Sequence, residues 1–309
     1  MSEAIEKKLN KLPVIKHLVQ FTKNIKFKSL AEGLSLYDLL EMYVLGIFKG
    51  AFSYRASAIA FSFFMALFPF ALFILNLIPY IPIEDFQVDF INFIAQNVPP
   101  NTFEAINKII MDILNNSYKG LLSTGFILSI FLMTNGVNAI LGGFEMSEHI
   151  TLTRGYFKQY LISLALSLIL SLILLITVAA IIVFEVFIQK IKIQDFFSDN
   201  ISLIEWGRYA FVVLMILITT SILYKYGTKE TAKIRFISTG AIFTTVLIIF
   251  SSYIFGIYVE KFARYNELYG SIGTLLVLMF YIWINCMVLL LGFELNAAIN
   301  KLKRKNLYI

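Results

Sequence analysis

"RASAIAFSFFMALFPFALFILNLIPYIP" occupies residues 55 to 82. It opens on Arg55, holds Pro69 in its interior, has Asn76 as its only amide and is otherwise largely apolar. No charged residue follows Arg55 until Glu84. A helix that crosses a bilayer needs about 20 such residues. Backbone groups in hydrocarbon must bond within their own segment, so an apolar run of this length reads as a helix.

The same pattern recurs along the chain. Charge-free windows cover 56–83, 120–144, 159–184, 209–224, 236–259 and 268–293. The fourth holds 16 residues, and Arg208 and Lys225 extend it by snorkelling to the interfaces. Across the 309 residues, 59% are hydrophobic types and 15% are charged. Soluble domains carry about 25% charged residues. The expected fold is all-α: a polytopic membrane protein with a six-helix bundle, amphipathic N-terminal helices and a helical extracytoplasmic connection. The expected spans are about 56–79, 120–143, 159–185, 207–226, 236–259 and 270–295, within a membrane domain of 55–300.

Lysine and arginine counts orient the bundle. The segment to Arg55, the connections at 145–158 and 225–235 and the tail after Glu294 hold nineteen. The connections at 84–119, 190–208 and 260–267 hold seven. Both termini are therefore expected in the cytoplasm. The net charge of +6 follows from this bias. Its basic residues are dispersed, so no nucleic-acid partner is expected. Cys286 is the single cysteine and lies inside the last span, which leaves no disulfide framework or cysteine metal site. The first apolar run begins only at residue 56, so it is expected to act as an uncleaved anchor.

Residues 1–54 read as cytoplasmic or interfacial amphipathic helices. Val14, Leu18, Phe21 and Ile25 form one apolar stripe, and Leu36, Leu39, Leu40, Tyr43, Ile47 and Phe48 another. Such helices either lie on anionic lipid or pack beneath the bundle. The connection 83–120 is long enough to carry two short helices, around Phe86–Ile94 and Ile106–Leu114, separated by Pro99 and Pro100. Residues 301–309 read as a basic cytoplasmic tail.

Polar residues at depth are costly and mark packing or function. Asn76, Asn135, Asn138 and Asn285 are candidates for a polar cavity, with interhelical hydrogen bonding as the alternative. Pro69 removes a backbone donor and bends its helix. Ser163, Ser167 and Ser171 place small residues on one face of the third span, which favours close helix packing. Gly270, Gly273, Gly292, Ala297 and Ala298 lighten the sixth span at its ends, and Gly240 and Gly256 the fifth, so these two spans can pack closely. Arg55, Glu145, Arg154, Arg235 and Glu294 collect at the cytoplasmic boundary, with Arg55 and Glu294 the candidate pair between first and last helices.

"YRASAIAFSFFMALFPF" (54–70) and "YGSIGTLLVLMFYIWINCMVLLLGFELNAAI" (269–299) resemble the opening and closing motifs of the YihY/virulence factor BrkB family of bacterial inner-membrane proteins. The resemblance spans roughly residues 45–300. The chain departs from the family pattern at "LGGFE" and "YKYGTKE". The resemblance implies a six-helix protein of the bacterial cytoplasmic membrane. A lipid-linked or envelope transport role has been suspected in that family, and some members once carried a ribonuclease label.

The residues do not favour an enzyme. His17 and His149 are far apart, and no metal-ligand, nucleophile-elbow or phosphate-cradle pattern accompanies them. No catalytic residue, cofactor or metal is expected. The leading expectation is a transporter or binder of a lipid or lipid-linked envelope precursor. Arg55, Arg154 and Arg235 would meet its anionic headgroup, since arginine binds phosphate in a bidentate fork. A membrane scaffold for an envelope protein partner, a homo-oligomer and a channel are the other readings.

Overall fold

The computed structural model describes residues 51–77, 119–194, 201–231, 235–262 and 271–307, with 41, 88, 91–92, 95, 107 and 111. The described residues form six long helices and no strand. They are α1 (Phe52–Leu77), α2 (Lys119–Glu145), α3 (Tyr156–Gln194), α4 (Ile201–Tyr226), α5 (Thr239–Phe262) and α6 (Ser271–Leu307). Each coincides with one of the expected spans over most of that span's length. The N-terminal amphipathic helices lie outside the described residues, as does most of the 83–120 connection, whose described positions are helical.

Ile127–Glu145, Tyr156–Ile181, Trp206–Tyr226, Thr239–Val259 and Leu275–Leu302 are each long and apolar enough to cross a membrane. The described side chains of α1 give a shorter apolar run, Phe52–Leu67. Its helix continues to Leu77, for 26 residues, or about 39 Å at the usual rise. The protein is a polytopic helical membrane protein.

Two helices outrun their expected ends. The third continues nine residues past 185, to Gln194. The sixth continues to Leu307, so the basic segment after 300 is a helical extension of the last span. Lysine and arginine are good helix formers, and no glycine or proline stops the helix there.

Each helix packs on its neighbours in sequence, and α6 returns to α1, closing a ring. The sixth helix also touches α2 and α4. Sequence explains the faces used. Phe52, Arg55, Ala56, Ile59, Ala60 and Ala66 are the buried positions of α1, and their spacing of three and four residues makes one helical stripe. Its alanines let neighbouring backbones approach, as small residues do in lipid where hydrophobicity supplies no net drive. A Cβ on Gly143 of α2 would lie 2.8 Å from Ile59 Cδ1, so that glycine seats the isoleucine.

The second and third helices meet through paired hydroxyls and an amide. Ser163 Oγ donates to Asn138 Oδ1 at 3.2 Å, and Ser167 Oγ lies 3.2 Å from Thr134 Oγ1. One turn forward on α3 matches one turn back on α2, as antiparallel helices require. Ser171 stays with its own helix, donating to the Leu168 carbonyl. The serine row is thus a packing seam at its first two members.

The fifth and sixth helices approach closely at Gly240 and Gly292. A Cβ on Gly292 would fall on Thr244 Oγ1 and within 2.6 Å of the Tyr224 hydroxyl. A Cβ on Gly240 would fall on the Gly292 carbonyl. Only glycine fits at either position.

Candidate functional site: the buried charge clasp

At one end of the ring, the starts of α1, α3 and α5 meet the ends of α2 and α4, with α6 running between them. Arg55 stands in the first turn of α1. Ala51 precedes it with φ of 45°, and the Arg55 N–H donates to the Ala51 carbonyl at 3.0 Å. The helix therefore starts beside the arginine and aims its side chain inward. Arg55 Nη1 donates to Glu294 Oε1 of α6 at 2.7 Å, and both side chains are fully buried. The expected pairing of the first and last helices is present.

The second oxygen of Glu294 has its own donor. Ser147 Oγ, in the loop after α2, donates to Glu294 Oε2 at 2.7 Å. His149 Nε2 lies 4.0 Å from the same oxygen. The His149 backbone N–H donates to Ser147 Oγ at 3.3 Å, so the serine links the loop backbone to the carboxylate. A buried carboxylate is tolerable only with its lone pairs engaged, and this one holds partners from two other parts of the chain.

Aromatic rings pack beside this ionic centre. Phe293, next to Glu294, stacks on Phe144 of α2 at 4.1 Å between centroids. Tyr224 of α4 meets both rings edge-on, at 5.7 and 6.0 Å. Its hydroxyl donates to the Leu289 carbonyl at 2.7 Å and contacts Thr244 Oγ1 of α5. Three helices are thus keyed to α6 within two turns of Glu294.

The loop 146–155 ties the remaining parts together. Glu230, in the α4–α5 connection, accepts from Thr151 N, Thr151 Oγ1 and Leu152 N at 2.8, 2.7 and 2.7 Å. Arg154 Nη1 donates to the carbonyls of Tyr226 and Gly227 at 2.9 and 3.0 Å, closing the C-terminal end of α4. A cation there also complements the helix dipole. Burial pushes the Arg154 guanidinium below its ordinary value, and the charge of Glu145 opposes that shift. Glu145 accepts the Arg154 backbone N–H at 3.2 Å. Lys301 Nζ, two turns beyond Glu294, donates to the Glu148 carbonyl at 3.1 Å.

The five charged residues singled out from the sequence therefore do not form one cluster. Arg55 and Glu294 make the buried clasp. Glu145 and Arg154 brace the loop beside it. Arg235 is exposed, ahead of α5. The headgroup role expected of Arg55 needs correction, since the guanidinium is 1% exposed and already faces a carboxylate.

The four asparagines also part company. Asn138 accepts from Ser163, Asn285 donates to the Tyr281 carbonyl of its own helix at 2.8 Å, and Asn135 is half-buried on α2. Asn76 sits one residue from the end of α1, with its side chain outside the described residues. Pro69 uses its own carbonyl, which accepts from Ser129 Oγ of α2 at 2.7 Å.

Sequence reasoning missed Ser147, His149, Glu230 and Asn296. Asn296 is 3% exposed. It accepts from the Gly240 N–H and donates to Ser238 Oγ, both at 2.7 Å, so it satisfies the N-terminus of α5 from α6. An asparagine inside a helix is a weak helix former, and that was the available signal. The others sit in short polar connections, where only tertiary contacts reveal them.

Residues 49–307 match the family described as Virulence factor BrkB. A Bacillus subtilis (strain 168) protein named as ribonuclease-like, YfkH, is 31% identical over 255 residues, covering 81% of this chain and 90% of its own. A UPF0761 membrane protein of Coxiella burnetii (strain RSA 493 / Nine Mile phase I) is 22% identical over 258 residues, covering 80% of this chain and 87% of its own. One of Aggregatibacter aphrophilus (strain NJ8700) is 22% identical over 218 residues, covering 70% and 74%. No solved structure matches. With the family's match running from just before the clasp arginine to the end of α6, the chain belongs to the Virulence factor BrkB family.

Proposed function

We propose that the bundle binds or moves an amphiphile, a lipid or lipid-linked envelope precursor, in the bacterial cytoplasmic membrane, with both termini in the cytoplasm. The observation that carries this reading is where the core lies. The buried residues of α3 are Ser163, Leu166 and Ser167, and none of its described residues beyond them is buried. Those of α4 begin only at Thr220, and those of α5 end at Thr245. Each of these sets lies at the clasp end. Among their described residues, these three helices are therefore buried in protein at one end of the ring and little buried along the rest.

That asymmetry suits a carrier closed on one side. Little-buried apolar walls accommodate acyl chains, and the clasp with its aromatic triad seals the opposite end. The charge bias of nineteen basic residues against seven supports a cytoplasmic position for the sealed end. Arg154 and Arg235 remain as the arginines for an anionic headgroup, Arg235 by its exposure and Arg154 by its place at the rim. The reading assigns the protein no catalytic step, and transport follows a gradient or a partner.

Reconstituted vesicles carrying headgroup-labelled phosphatidylglycerol test it. Protein should speed the exchange of label between leaflets above the rate in empty vesicles. Purified protein should retain anionic phospholipid, and the double variant R154Q/R235Q should retain less. Exchange equal to that of empty vesicles, with equal lipid retention by both proteins, would refute the reading.

A further inference from the structure

The clasp contains one side chain whose ordinary titration falls near neutral pH, His149. We propose that His149 is a proton-binding site coupled to the Arg55–Glu294 clasp. The geometry supplies the coupling. His149 is 6% exposed, and its Nε2 lies 4.0 Å from Glu294 Oε2. That oxygen accepts the Ser147 hydroxyl, and the same hydroxyl accepts the His149 backbone N–H. Ser147 and the imidazole thus compete for one carboxylate oxygen while belonging to one turn of chain, closed by the Ile150 N–H on the Ser147 carbonyl at 3.0 Å.

The charge balance around this oxygen is narrow. With His149 neutral, Glu294 faces one cation among the described residues, Arg55. With His149 protonated, it faces two. The imidazolium then draws toward Oε2, displaces the serine hydroxyl and shares the negative charge with Arg55. Other charged groups stand on the described elements around the site. Arg55 on α1 and Lys301 on α6 oppose protonation. Glu294 on α6 favours it, and Glu145 on α2, with Glu148 in the loop and Glu230 in the α4–α5 connection, adds negative charge nearby. Arg154 adds positive charge at the far end of the loop and spends it on the carbonyls closing α4. Linkage makes the effect reciprocal: a change at Glu294 that moves His149 titration is itself driven by protonation of His149. The site would sense pH on the clasp side of the membrane whatever the bundle carries.

His17 is the other histidine, so the full-length H17Q variant leaves His149 as the sole imidazole. Its ring carbons can be followed by nuclear magnetic resonance in lipid nanodiscs between pH 5 and 8.5. The proposal expects one titration in that range. H17Q/S147A should raise the midpoint, because the competing donor is gone. H17Q/E294Q should lower it by about one unit, because the attracting carboxylate is gone while the positive charge of Arg55 remains. If the glutamine variant does not fold, the alanine variant decides alone. A ring that does not titrate in this range, or a midpoint unmoved by S147A, would overturn the proposal.

Discussion

Arg55 and Glu294 stand 239 positions apart in the chain and meet at 2.7 Å, out of reach of solvent. This ion pair joins the first helix of the ring to the last, beside the packing of α1 on α6 and the hydrogen bond from Trp283 Nε1 to Ser57 Oγ. Both charges are buried, so removing either takes a close opposite charge from the other. R55Q and E294Q should each lose about 3–5 kcal/mol of stability. R235Q, at an exposed position, should be near neutral by the same measurement. Unfolding by SDS titration in mixed micelles checks this, and equal stability of R55Q and wild type would contradict it.

The Gly240–Gly292 crossing predicts a second vulnerability. Gly292→Ala places a methyl group on Thr244 Oγ1 and against the Tyr224 hydroxyl, forcing α5 and α6 apart. Overpacking of this kind costs about 1–3 kcal/mol. Gly256→Ala is the control, because a Cβ there meets nothing within 4 Å. Thermal unfolding in detergent should separate the two variants, and identical midpoints would show that the helices can move apart freely.

Asn285 and Asn296 of α6 should behave differently. Asn296→Ala strips the Gly240 N–H and Ser238 Oγ of a shared buried partner. A loss of about 1–3 kcal/mol follows from leaving such groups unpaired. Asn285 bonds only to a carbonyl of its own helix among the described contacts. Its replacement by alanine should cost well under half as much. The comparison is made by the same SDS titration, and a larger loss at Asn285 would reverse the assignment.

Much of the fold was legible because lipid imposes a length. Six uncharged windows gave six helices, and the windows near 120–144 and 236–259 agree with α2 and α5 to within a few residues. Helix ends were less legible where no breaker stands, as at Gln194 and Leu307. The Arg55–Glu294 pair could be anticipated because few charges border the spans and both belonged to one side. Its completion by Ser147 could not. A serine and a histidine in a ten-residue loop carry no periodic signal, and their position depends on how Glu230 and Arg154 fold that loop. The asparagines could be read two ways for a related reason. An amide in an apolar span marks a need for a partner, but Ser163 and the Tyr281 carbonyl meet that need as well as a cavity would.

The clasp itself is tested most directly by exchanging its charges. R55E and E294R should each yield unstable protein, since each puts like charges face to face. R55E/E294R restores opposite charges across the same gap, so its stability should exceed that of both single variants. Unfolding of the three variants beside wild type supplies the coupling between the positions. A double variant no more stable than the sum of its two losses predicts would mean that the first and last helices are not held together by this pair.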